Sequence, residues 1–167
     1  MAYQENCLSL AGAVFLENND IALFAGVCCY TARMNSTGTT DWYHALRKPS
    51  WAPADNVFGI VWGLLYPIIL TVNVYVFILV IQHKMDWRVG LVFWLNLAFN
   101  LAFTPIQFGL RNNYLASIDI VLILVTILIA MVVIWPHNRW LAVAFAPYLV
   151  WVSIATVLQF AITSLNR

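Results

Sequence analysis

Four long apolar stretches, at residues 57–81, 89–108, 115–135 and 141–162, constrain this chain more than any other feature, and Asp119 is the one acid inside them. A helix crosses the hydrocarbon core of a bilayer with about 20 apolar residues. Only helices and closed barrels satisfy their backbone polar groups there, and runs of this length are helical. Soluble domains are about 45–50% apolar and about 25% charged; this chain is 63% hydrophobic and 9% charged. Its surface must be solvated by lipid. An all-α integral membrane protein is therefore expected.

The segment before these runs, residues 7–33, is apolar at both ends but carries Glu17, Asn18, Asn19 and Asp20 in its middle. Charges at the bilayer centre cost at least a few kcal/mol each. We therefore place a short first span at 21–32 with Asp20 as its N-cap, and leave the course of residues 1–20 open. The result is a five-transmembrane-helix bundle over 21–167, with a long first loop at 33–56. The connections at 82–88, 109–114 and 136–140 are brief, so sequential helices must be antiparallel neighbours. Lys84, Arg88 and Arg139 fall on one side, against Arg33, Arg47, Lys48, Arg111 and Arg167 on the other. The positive-inside rule then turns the first loop and the C-terminus to the cytoplasm. No cleavable signal peptide is expected, since no Lys or Arg precedes the first apolar run. Net charge +1 gives no reason to expect a nucleic-acid partner. Cys7, Cys28 and Cys29 have no metal-ligand spacing.

Polar and aromatic residues concentrate between Trp42 and Tyr66. Pro49 and Pro53 forbid a helix through 48–52, so this part of the loop runs extended over the surface. Asp55 or Asn56 is then placed to cap a helix from near Val57. Trp42, Tyr43, Trp51 and Trp62, with Arg47 and Lys48, suit the headgroup region, as a plain aromatic anchor or as a lid.

Within the spans, Gly59 with Gly63 and Ala98 with Ala102 have helix-packing spacing, inside the monomer or at a dimer seam. Pro67, Pro105 and Pro147 each remove one helical hydrogen bond. Asn96, Asn100 and Gln107 should point inward, either to hold the bundle or to meet a ligand. Asp119 is either a functional carboxylate or one paired with a buried polar group. Tyr148, Trp151, Ala155 and Gln159 form one stripe on the last helix, a packing face or a notch for a flat ring. His44, His83 and His137 stand alone in loops, so no metal site and no catalytic residue can be named. Haem ligation by His44 is the one alternative to solvation.

Trp42-Tyr43, Leu46, Lys48-Pro49, Trp51, Pro53, Phe58-Gly59, Trp62 and Leu65-Tyr66 occur in an order that resembles the translocator protein family, the TspO or peripheral benzodiazepine receptor type. The similarity extends through LNLAFNLAFTPIQFG (95–109), Asp119 and PYLVWVSIATVLQF (147–160). The resemblance implies a five-helix bundle with a cavity beneath the first loop for porphyrins, sterols and synthetic aromatic ligands. It assigns Trp51 to closing that cavity, with Trp42, Lys48, Pro49 and Pro53 in the lid. Asn100, Phe103, Asp119, Tyr148, Trp151, Ala155 and Gln159 then contact the ligand. It also makes the third helix, with Ala98 and Ala102, the dimer face. Leu101 and Phe103 stand where many members carry tryptophan, Ala54 where many carry a second proline, and the first helix is less cleanly apolar. Phe160, with Arg167 too distant, breaks the expected C-terminal sterol pattern, while Val27, Tyr30 and Arg33 match a similar one.

The function expected is binding, with or without translocation, of a tetrapyrrole or sterol by a membrane-embedded homodimer, in a bacterial cell membrane or the mitochondrial outer membrane. Porphyrin or haem would be the ligand, and no cofactor is required. The alternatives are a photo-oxidative porphyrin-degrading enzyme and a dimeric scaffold without turnover.

Overall fold

The computed structural model describes residues 39–166. The first predicted span, the residues before it, the three cysteines and Arg167 lie outside the described residues. Every described element is helical. Helix α1, Thr39–Ala45, falls within the stretch expected as first loop and is described by itself.

From Arg47 onward the chain builds α2 (Asp55–Ile81), α3 (Trp87–Thr104), a π-helical turn (Pro105–Gly109), α4 (Asn113–Ile134), α5 (Arg139–Ala144) and α6 (Ala146–Leu165). Four continuous segments, Asn56–Ile81, Trp87–Gly109, Asn113–Ile134 and Arg139–Leu165, are long and apolar enough to cross a membrane.

Side-chain caps set three of the helix starts. Asp86 accepts from the Arg88 N–H, Asn112 from Tyr114 and Leu115, and Asn138 from Trp140 and Leu141. Helix α2 departs from expectation. Ala54, not Asp55 or Asn56, holds the cap position in extended conformation (φ −63°, ψ 147°). Its carbonyl already accepts the Val57 N–H at 2.9 Å, so the first turn closes earlier. At the other end of α2, Lys84 N–H reaches the Leu79 carbonyl at 2.9 Å and His83 N–H the Val80 carbonyl at 3.0 Å. This Schellman closure puts His83 in the left-handed region at φ 53°.

The three prolines act differently. Helix α2 runs through Pro67 without a break. Pro105 cannot donate to Leu101, and the helix widens into a π turn in which Leu110 N–H bonds the Pro105 carbonyl at 2.9 Å. Pro147 sits in the first turn of α6, after the break at Phe145 that ends α5.

Packing is closest between α3 and α4 and between α4 and α6; α2 lies more lightly on α3 and barely approaches α6. Ile69, Val76, Phe93, Ile123, Ile127, Ile134 and Phe145 form the buried centre. Outward, Ile60, Leu64, Leu95, Val132, Val150 and Val157 are exposed, as a lipid-facing surface requires. At the end opposite the first loop, Arg88 lies over Trp87 and Arg139 over Trp135, at 5.9 and 6.0 Å from the ring centroids. Such cation and aromatic pairs suit the headgroup region. At the loop end, Arg47 N–H donates to Asn166 Oδ1 at 3.0 Å and Asn166 Nδ2 returns a bond to the Arg47 carbonyl at 2.9 Å. The loop segment from Arg47 to Ala54 and the end of α6 are thereby on the same side.

Candidate functional site

Two polar clusters occupy the interior. The deeper one centres on Tyr148, which is fully buried on α6. Asn100 Nδ2 donates to its hydroxyl at 2.9 Å. Asn96 stands one turn before Asn100 on the same face of α3. Asn96 itself donates to Thr126 Oγ1 at 2.9 Å and to the Ile123 carbonyl at 3.2 Å, tying α3 to α4.

Aromatic rings surround this cluster. Trp62 lies 6.3 Å from Tyr148 and 5.2 Å from Tyr66, and Phe145 meets Tyr148 edge-on at 5.6 Å. One turn along α6, Trp151 meets Phe58 edge-on at 5.5 Å. These rings are the main approach between α2 and α6, whose backbones otherwise stay apart.

The second cluster lies toward the loop end. Gln159 Nε2 donates to Gln107 Oε1 at 3.0 Å and to the Asn113 carbonyl at 3.2 Å, while Gln107 Nε2 donates to Asn113 Oδ1 at 3.1 Å. Ser117 and Thr163 share a 2.8 Å bond beside it. The π turn is what presents Gln107, because its extra residue shifts the helical phase.

The stripe on the last helix thus divides. Tyr148 and Trp151 join the aromatic cluster, Gln159 joins the amide cluster, and Ala155, between them, is half-buried against the core. Phe103 also packs against the core. Asp119 is buried, and its Oδ2 has no hydrogen-bond partner among the described residues.

In the loop, Ala52 N–H closes a turn onto the Pro49 carbonyl at 3.0 Å, and Trp51 within it is 51% exposed. Lys48, Pro49 and Pro53 are half-buried, and Trp42 lies on α1. Gly59 and Gly63 both face outward, and a Cβ on either would meet nothing within 4 Å, so no described helix packs on them. Ala98 is exposed and Ala102 half-buried on α3. Among the described residues no three His, Cys, Asp or Glu side chains come together.

Sequence reasoning passed over the inner face of α2 as a site. Phe58, Trp62, Tyr66, Ile69 and Asn73 follow one another at intervals of four, four, three and four, which is one helical stripe. That spacing was the available signal.

A bundle of membrane-spanning helices with amides, a tyrosine and a carboxylate buried between them is an integral membrane protein with a polar-lined interior. Residues 21–165 match the model of the TspO/MBR family, and the chain belongs to that family. The Tryptophan-rich protein TspO of Bacillus cereus is 34% identical over 130 residues, covering 75% of this chain and 80% of that protein. Its namesake in Chlorobaculum tepidum is 33% identical over 151 residues, 87% and 95% of the two chains. The human Translocator protein is 32% identical over 123 residues, 72% of each.

Proposed function

We propose that this protein binds a flat, largely apolar molecule, a tetrapyrrole or a sterol, within the bundle beneath the first loop, and delivers it between membrane and protein. The observation that carries this reading is the cluster around Tyr148. The Asn100 amide from α3 meets one buried hydroxyl among Trp62, Tyr66 and Phe145, where α2 and α6 approach each other mainly through aromatic side chains. Apolar burial against the rings supplies affinity, and the few polar groups fix orientation. Trp51 and the loop that Asn166 holds at Arg47 cover the entrance, with the loop and C-terminus on the cytoplasmic side. Trp151, Ala155 and Phe103 line the walls.

Titration of the purified protein with protoporphyrin IX, followed by tryptophan quenching, tests this. Saturable quenching in the wild type, lost in a Trp151→Leu, Ala155→Phe double variant, is the expected result. Equal quenching in both proteins would overturn the assignment of the site.

A homodimer through the outer face of α3 is the companion proposal. Leu91, Trp94, Leu95 and Ala98 are all exposed there, and small residues let helices approach closely. Replacing Ala98 and Ala102 by Ile should convert dimers to monomers in light-scattering measurements while sparing porphyrin binding. Unchanged mass would overturn it.

A further inference from the structure

The end of the bundle away from Arg47 carries three cations, Lys84, Arg88 and Arg139, all of them exposed. Asp86 is the one acid there among the described residues, and its carboxylate already accepts the Arg88 backbone N–H at 2.8 Å. Helix stability does not account for the two arginines. Arg88 sits in the first turn of α3 and Arg139 opens α5, and at a helix start the dipole disfavours a cation.

Each guanidinium lies instead over an indole, Arg88 over Trp87 at 5.9 Å and Arg139 over Trp135 at 6.0 Å from the ring centroid. An indole ring attracts the charge but accepts no hydrogen bond from it in the way a carboxylate does. Neither arginine side chain forms a hydrogen bond or an ion pair among the described residues, so the N–H donors of both stay available. Trp87 and Trp135 are exposed, and Trp140, next to Arg139, is 83% exposed. Rings that open belong where acyl chains meet headgroups.

The two arginines also lie at one depth. Phe93 and Phe145 meet at 5.4 Å between ring centroids, which sets the start of α3 level with the start of α5. Arg88 precedes Phe93 by five residues and Arg139 precedes Phe145 by six, so both stand about 8 Å nearer the surface at the helical rise. A Cβ on Gly90 would come to 3.0 Å from Val80 Cγ2, which holds the end of α2, with Lys84 just beyond it, against the start of α3.

We propose that this end is a docking surface for anionic phospholipid, with headgroup phosphates at Arg88 and Arg139 and the upper acyl chains against Trp87, Trp135 and Trp140. The N–H fork of a guanidinium matches phosphate oxygens, and its charge is not neutralised by any carboxylate of the chain. Zwitterionic lipid offers the same phosphate, but its choline is repelled by the three cations, so the surface selects lipid of net negative charge. The inference stands apart from whatever the interior binds.

Native mass spectrometry of the full chain tests it, with the protein released from nanodiscs that hold phosphatidylcholine and phosphatidylglycerol in equal amounts. The wild type should retain phosphatidylglycerol in preference. Arg88→Gln and Arg139→Gln should each lower that preference about fivefold, the usual effect of one basic residue beside an anionic membrane surface. Both side chains are exposed and touch only neighbouring tryptophans, so the variants keep the bundle, as thermal unfolding in the discs would show. Arg88→Lys and Arg139→Lys should keep most of the preference, because an ammonium still attracts phosphate as a point charge. Equal retention of the two lipids by the wild type would overturn the proposal, as would a preference unchanged in both glutamine variants. An equal drop in Arg111→Gln, at the other end, would show net charge rather than this surface and would also overturn it. Displacement of the retained lipid by inorganic phosphate would show a free-anion site and overturn the lipid assignment.

Discussion

The amide of Asn100 donates to the hydroxyl of Tyr148 at 2.9 Å, joining α3 to α6 across 48 positions of sequence with both side chains buried. Tyr148→Phe removes the acceptor and keeps the ring, so Asn100 is left with neither amide atom paired. A loss of about 1 kcal/mol is expected, near the usual size for interhelical bonds in membrane proteins. Thermal unfolding in detergent, with Asn100→Leu and the double variant completing the cycle, measures it. The double variant should lose less than the two single losses combined.

Asn166 caps α6 through the Ile162 carbonyl at 2.8 Å and clamps Arg47 with two further bonds. Asn166→Leu should free the first loop without disturbing the interior. Limited trypsinolysis after Arg47 is expected to accelerate several-fold. Asn166→Asp, which keeps the acceptor for the Arg47 N–H, should fall between the two.

Gln159 is the hub of the loop-end cluster. Gln159→Leu leaves Gln107 Oε1 without its donor, a loss of about 1–3 kcal/mol for a buried polar group. Replacing Gln107 by Leu as well should recover part of that loss, because the orphaned oxygen is then gone. Chemical or thermal unfolding of the single and double variants decides this.

His83 closes α2 at φ 53°, a conformation that costs a side-chain-bearing residue about 1 kcal/mol. His83→Gly should therefore raise the unfolding temperature slightly. The backbone bonds from His83 and Lys84 to α2 remain available in that variant. A lowered temperature would show that the imidazole contributes more than the strain removes.

Much of this protein is local in origin, and that part was legible. Apolar runs too long for anything but membrane helices, and the inward asparagines of α3, follow from chain length and polarity alone. The four described spans agree with them closely. Which amide meets which partner did not follow. Gln159 shares a stripe with Tyr148 in sequence, yet the bundle sends the two to different clusters. Pro105 marked a disturbance, but only the packed turn shows that it widens into a π turn and presents Gln107. Gly59 and Gly63 have packing spacing and face outward among the described helices.

The reason is physical. In a soluble helix the contrast between water and core makes the apolar face visible in sequence, and each helix then announces its inner side. In a bilayer both sides of the helix are apolar, so hydrophobic periodicity carries little direction. Sequence by itself determined that these helices span and that their few polar groups turn inward. Tertiary structure decided their rotation and pairing, and with them the meeting of Asn100 with Tyr148 and of Gln159 with Gln107.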